Sequence, residues 1–133
     1  LQSQFGSDAK QERTVFVTSF SYRKGLPREA DLVLDVRFLR NPHYEGALRE
    51  MSGKDEAVGT YIKADEAFDG FFANLTQMLT PLMPRFEAEG KSYLTIAFGC
   101  TGGRHRSVYV AEQLAKWFDK EGLRAQINHR DMS

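Results

Sequence analysis

Apolar positions along the chain change spacing in a regular order. Thr14-Val-Phe-Val-Thr-Ser-Phe20 is dense in β-branched and aromatic residues and predicts a strand. Asp31-Leu-Val-Leu-Asp-Val36 is a short apolar run and predicts a second, buried strand. Between them, Ser21 to Ala30 holds Gly25 and Pro27 and reads as a connection. Arg37 to Tyr44 is a polar loop, and residues 45–63, with Gly46, Gly53 and Gly59, predict short helical turns. Phe68, Phe71, Phe72, Leu75, Met78, Leu79, Leu82, Met83 and Phe86 then recur at three- and four-residue steps, which predicts a helix over 65–88. Pro81 and Pro84 predict a kink or a split near Thr80, because proline has no amide hydrogen to give. Glu89-Gly90 supplies a stop, and Ser92 to Phe98 is a third strand. Val108, Ala111, Leu114, Ala115 and Phe118 form the inward stripe of a helix from Arg104 or His105 to Glu121, ended by Gly122. Leu123 to His129 is a last short strand.

Strands alternating with helices imply right-handed crossovers. The expected fold is α/β, a mostly parallel sheet with helices on its faces. Ligands of such sheets bind beyond the carboxyl ends of the strands. The segment Asp35-Val-Arg37 and a glycine-rich turn after Phe98 both follow strands, so they share one crevice if those strands are parallel neighbours.

Composition narrows the class. The chain has 133 residues, 41% hydrophobic and 27% charged, which fits one soluble domain at residues 14–133. Its formal net charge is zero, so nothing at whole-chain level demands a nucleic acid or membrane. One cysteine excludes an internal disulfide. No apolar run approaches the roughly 20 residues needed to span a bilayer. Residues 1–13 are polar, lack the apolar core of a secretory signal, and read as a linker or tail. They carry no initiator Met, so the expectation is a fragment or one domain of something longer.

The turn Cys100-Thr-Gly-Gly-Arg-His-Arg-Ser107 concentrates the chemistry. Gly102 and Gly103 let backbone approach an anion, and their N–H groups, with those of Arg104 and His105, can form an anion-binding nest. Thr101 and Ser107 add hydroxyls, and Arg104 or Arg106 adds a planar fork for phosphate. A second reading is catalytic. The eight residues fit the cysteine-phosphatase pattern C-x-x-G-x-x-R-[ST], with Cys100 as nucleophile, Arg106 holding phosphate oxygens and Asp35 as general acid. A third reading is a plain helix start. The three histidines, His43, His105 and His129, are widely spaced and match no zinc pattern. Asp35 and Arg37 either meet a ligand or pair with each other. Arg23, Lys24, Arg28, Arg37, Arg40, Arg104 and Arg106 form either a basic patch or an ordinary solvated surface.

Two long segments carry a family resemblance. Phe98 to Leu114 and Asp35 to His43, with Ser92-Tyr-Leu-Thr-Ile96, closely resemble the C-terminal domain of the RapZ/YvcJ family. The likeness runs from about Thr14 to Arg130. It implies a fold similar to a phosphofructokinase subdomain. It also implies an N-terminal nucleotide-binding domain that this chain lacks, since no G-x-x-x-x-G-K-[ST] is present; no cofactor is expected in the domain itself. The enterobacterial members are RNase adapters that control amino-sugar synthesis. The resemblance therefore implies a non-enzymatic, cytoplasmic, homo-oligomeric regulator that senses glucosamine-6-phosphate. Its implied partners are small regulatory RNA and an endoribonuclease. Asp35, Arg37, Thr101, Gly102, Gly103, Arg104, His105, Arg106 and Ser107 become ligand-site candidates, and Cys100 a structural thiol. Arg23, Lys24, Arg40 and His43 become RNA-contact candidates. Two features depart from the family: Arg104 stands where lysine is usual, and the sequence ends Asn-His-Arg-Asp-Met-Ser133 without a basic tail.

Overall fold

Four strands make one sheet in which every neighbouring pair is parallel: β1 (Thr14–Ser21), β2 (Leu32–Asp35), β3 (Tyr93–Cys100) and β4 (Arg124–His129). The helices are α1 (Glu56–Lys63), α2 (Glu66–Ala88) and α3 (Arg106–Lys120), with short 3-10 turns at Tyr22–Lys24 and Pro42–Tyr44. This computed structural model describes residues 14–91 and 93–132. The linker or tail expected at residues 1–13, and Ser92 at the expected start of the third strand, lie outside the described residues.

Strand order is β2-β3-β1-β4. The chain leaves β1 for the far edge, returns beside it as β3, and crosses to the other edge as β4. The connections that follow the neighbours β1 and β3 therefore run in opposite directions. Such a reversal opens a crevice at the strand ends. Ser21 and Cys100, the last residues of β1 and β3, are partners in register there.

Alternation decides which side chains meet the helices. Val15 and Val17 of β1 and Leu94, Ile96 and Phe98 of β3 join Ile62, Leu79, Met83, Leu114 and Phe118 in one core. All five expected inward residues of α3 are buried. The opposite sheet face carries Phe16, Thr18, Tyr93 and Thr95 and forms a broad open groove.

α2 does not split. It runs through Pro81 and Pro84 as one helix of 23 residues. Both prolines are exposed, so the carbonyls they leave unpaired, at Gln77 and Thr80, have access to water. An interior proline costs about 3 kcal/mol. Burying Leu75, Leu79 and Met83 returns about 1.5–3 kcal/mol each, which keeps the helix continuous. Met78, expected in the apolar stripe, is instead 41% exposed. In 45–63 the expected short turns include a two-turn helix, α1.

At the sheet edge, His129 of β4 is tied twice. Its Nδ1 lies 2.7 Å from Ser19 Oγ of β1, and its Nε2 lies 2.8 Å from Glu112 Oε2 of α3. Among the described residues, no helix is long and apolar enough to cross a membrane.

Candidate functional site

α3 begins with two polar residues that the fold buries, Arg106 at 5% exposure and Ser107 at 0%. A buried guanidinium needs partners, and the backbone after β2 supplies them. Arg106 Nη1 donates to the carbonyls of Arg37 at 2.6 Å and Leu39 at 3.1 Å. Nη2 lies 3.5 Å from Thr101 Oγ1. Among the described residues, Nε is buried with no partner. A buried charged donor without an acceptor costs about 1–3 kcal/mol or more.

The cleft that Arg106 helps to wall has a volume of about 470 Å³, within the range of small-molecule sites. The glycine turn forms one side. Asn41, His43, Tyr44, Arg49 and Glu50 form the other, and Arg23 contributes from the turn after β1. Arg23, Arg49, Arg104 and Arg106 bring four guanidinium groups, against a single carboxylate, Glu50, among the lining residues. His105 makes no side-chain cap at the start of α3, where the Cys100 sulfur takes the Ser107 N–H, and the positive end of the helix faces the turn. The larger groove on the open sheet face has the opposite character: Glu29 and Asp31 flank it and Lys91 is its one cationic lining residue. The cationic lining is that of the smaller cleft.

The turn is framed from the chain's far end. Asp131 Oδ2 accepts the Ser21 N–H at 2.7 Å, and Ser21 Oγ donates to the Thr101 carbonyl at 2.6 Å. Burial pushes the Asp131 carboxyl up, but the Arg130 guanidinium and the Ser21 amide outweigh it and leave its pKa below the usual range. Gly103 sits against this frame with φ +71°, and a Cβ there would lie 3.0 Å from the Ser21 backbone nitrogen. Gly102 has open space instead. Gly103→Ala is therefore expected to lose about 1–2 kcal/mol from its left-handed backbone alone. Gly102→Ala should melt near the wild type, and paired thermal denaturation curves check this.

The predicted ligand residues divide between two places. Thr101, Gly102, Arg104, His105 and Arg106 line the cleft. Asp35 and Arg37 lie beside it and hold each other: Arg37 Nε donates to Asp35 Oδ1 at 2.9 Å and Nη2 to Oδ2 at 2.7 Å. The guanidinium also stacks 4.0 Å from the Tyr22 ring centroid. The Arg37 hydrogen bond holds the Asp35 carboxyl below the usual carboxylate range. It is the Arg37 carbonyl, not its side chain, that touches the site. Ser107 is enclosed and faces Cys100 rather than the cleft: the Cys100 thiol donates to Ser107 Oγ at 3.1 Å, and the Ser107 N–H donates to the sulfur at 3.4 Å.

Arg104 faces the loop before α1. Its Nε donates to the Met51 carbonyl at 2.9 Å and its Nη2 to the Glu50 carbonyl. The Gly53 N–H donates to the Arg104 carbonyl at 2.8 Å. A Cβ at Gly53 would lie 2.4 Å from the His105 carbonyl, so only glycine lets this loop rest on the start of α3. His105, 6% exposed, adds a contact from Nε2 to the Arg49 carbonyl at 3.2 Å. A carbonyl partner requires the hydrogen on that nitrogen.

Burial holds the His105 pKa below the ordinary histidine value, Arg104 adds to the effect, and nearby carbonyls oppose it. The unfolded chain therefore takes the proton first as pH falls. Stability is full above the ordinary value of about 6.5 and declines below it, toward the lower folded value. Melting temperatures measured from about pH 8 to about pH 5 should show this decline, and His105→Asn should flatten it.

Of the nucleic-acid candidates, Arg23 and His43 line the cleft and Lys24 and Arg40 do not. Arg40 stacks on Tyr61 at 5.0 Å. Sequence reading missed Tyr44, Arg49, Glu50 and Asp131 as site residues. None sits at a helical or strand period or in a motif. Asn41 Oδ1 caps the turn at Pro42–Tyr44 by accepting the His43 N–H at 3.1 Å.

Comparison with known proteins agrees with the likeness carried by the two long segments. A nucleotide-binding protein of Rhodospirillum rubrum is 57% identical over 132 residues, 99% of this chain and 41% of its own length. One of Paramagnetospirillum magneticum is also 57% identical, and the match covers 43% of it. One of Rhodospirillum centenum is 53% identical, covered over 40%. The chain thus spans less than half the length of these relatives. The model of the RapZ C-terminal domain matches residues 13–133, nearly the whole chain, and the chain therefore belongs to that family.

Proposed function

We propose that this domain is a regulatory sensor that binds an amino-sugar phosphate, of the glucosamine-6-phosphate kind, in the cleft between the glycine turn and the Asn41–Glu50 side. The observation that carries the reading is the Arg106 guanidinium. Backbone carbonyls fix it in place, its Nε is buried without a partner, and it sits in a wall with three other arginines. That is a preorganised donor for a phosphate dianion. Family membership supports a regulatory role. The cleft is the size of a monosaccharide phosphate site rather than of a macromolecular surface.

Ligand binding changes the charge that the domain presents, because Arg23 and His43 line the same cleft. We place the output there: a contact with small regulatory RNA, or with an endoribonuclease, that differs between the empty and occupied domain. The setting is cytoplasmic and the assembly homo-oligomeric. The relatives are named for nucleotide binding, but no phosphate-binding loop of the Walker type occurs in this sequence, so that property is not carried to this domain.

Isothermal titration tests the reading. Glucosamine-6-phosphate should bind saturably and more tightly than glucose-6-phosphate. Equal or absent binding of the two sugars would remove the amino-sugar assignment. RNA affinity measured with and without ligand tests the output, and it should fall steeply with salt.

A further inference from the structure

Cys100 lines the phosphate cleft at the end of β3, only 2% exposed. Two contacts to its sulfur come from Ser107 in the first turn of α3, and Arg106 lines the same cleft. Ser107 Oγ lies 3.1 Å from the sulfur, and the Ser107 N–H donates to it at 3.4 Å. Arg106 carries the buried Nε that has no partner in the described structure. Strand, glycine turn and helix thus set a nucleophilic atom and a guanidinium on one cleft, with the Ser107 hydroxyl behind the sulfur. The uncapped start of α3 favours negative charge at the same place. A phosphate cradle by itself needs neither the thiol nor its hydroxyl partner.

We propose that Cys100 is a nucleophile toward phosphate monoesters held in this cleft, which makes the domain a slow cysteine-dependent phosphatase of aryl-type esters. The inference rests on reading the cleft as a phosphate site. The thiol first gives its proton to water. The thiolate then attacks phosphorus, an S–P bond forms, and the P–O bond to the leaving group breaks. Arg106 holds the non-bridging oxygens through this step. The aryl oxide departs with the electron pair and takes a proton from water. A second water then attacks phosphorus, the S–P bond breaks, and the pair returns to sulfur. The Ser107 hydroxyl can turn to donate to that returning thiolate. The released water proton stays with the phosphate. Ester and water become phenol and inorganic phosphate, with no cofactor or oxidant consumed.

The class of substrate follows from what the cleft lacks. Its one lining carboxylate, Glu50, is exposed, and Asp35 is held by Arg37. Asp131, the buried acid at the turn, is held by Arg130 and the Ser21 amide, so among the described residues no free acid stands ready to protonate a leaving oxygen, a service worth about 10²–10⁴-fold in rate. Aryl oxides leave without it. Sugar alkoxides do not, so a sugar phosphate stays bound and intact in the same cleft.

The test mixes the 133-residue chain with 4-nitrophenyl phosphate and reads the release of nitrophenolate, with intact-protein mass spectrometry after an acid quench. Titration with inorganic phosphate on the same samples reports the cleft itself. The expected result is turnover that falls to the buffer rate in Cys100→Ser. Ser107→Ala should slow breakdown of the intermediate, so the mass of one phosphoryl group accumulates on that variant. A purely structural hydroxyl would not produce that adduct. Saturable phosphate binding with no turnover and no adduct would overturn the proposal and leave the sensor reading standing. Turnover that survives in Cys100→Ser would overturn it too. Loss of phosphate binding in the unmodified chain would remove both readings together.

Discussion

Arg106→Lys is expected to lose most of the domain's affinity for glucosamine-6-phosphate while keeping the positive charge. The guanidinium does three things at once. One nitrogen grips two carbonyls, of Arg37 and Leu39, and so holds the backbone after β2 against the turn. A second reaches toward Thr101 Oγ1. The third, Nε, is buried with an unused hydrogen. A lysine ammonium is one point, and it cannot serve the carbonyls and an anion from separate edges. A charge-assisted hydrogen bond contributes about 1.5–3 kcal/mol, which corresponds to roughly a ten- to hundred-fold weaker Kd. Titration calorimetry measures the loss. A melting curve on the same protein separates it from unfolding, since the two carbonyls remain to be satisfied in the variant. Affinity equal to the unmodified chain would place the phosphate elsewhere.

Glu50→Gln is expected to abolish the preference for glucosamine-6-phosphate over glucose-6-phosphate, while Asp35→Asn leaves most of it. The cleft is rich in cations, so an ammonium on the ligand needs a carboxylate to enter it favourably. Glu50 is the lining residue that offers one. Its backbone is fixed because Arg104 binds the Glu50 and Met51 carbonyls, which makes the position a stable one for recognition. Asp35 is committed to Arg37 through two parallel hydrogen bonds and to the Arg37 amide through a third. An ammonium–carboxylate contact of about 1.5–3 kcal/mol sets the expected loss of discrimination at roughly ten-fold or more. Parallel titrations with both sugars on both variants decide the matter. The reverse pattern would mean that the ligand displaces Arg37 from Asp35.

The strands and helices were legible because their signals are local. The β-branched and aromatic run of β1 and the Val108–Phe118 stripe of α3 are each carried by an isolated segment, and the parallel sheet followed from the order of strands and helices. The prolines of α2 suggested a split for the same reason. A split is the local expectation, and the core contacts of Leu75, Leu79 and Met83 override it. The glycine turn stood out as a candidate site because glycine, arginine and hydroxyl groups crowd eight consecutive residues.

What the sequence determined by itself, then, is the α/β class, the place of the turn between a strand and a helix, and membership in a family through two long segments. Only the tertiary structure decided how the charges are used. It paired Asp35 with Arg37, sent Arg104 to the Glu50–Met51 backbone, left Arg106 Nε without a partner, and brought Arg49, Glu50 and Asp131 to the turn. The reason is physical. A period describes one face of one element, whereas a side chain's partner is fixed by which strands become neighbours. Here the reversal between β1 and β3 sets Ser21 beside Cys100, and the residues around that junction come from segments as much as 110 positions apart.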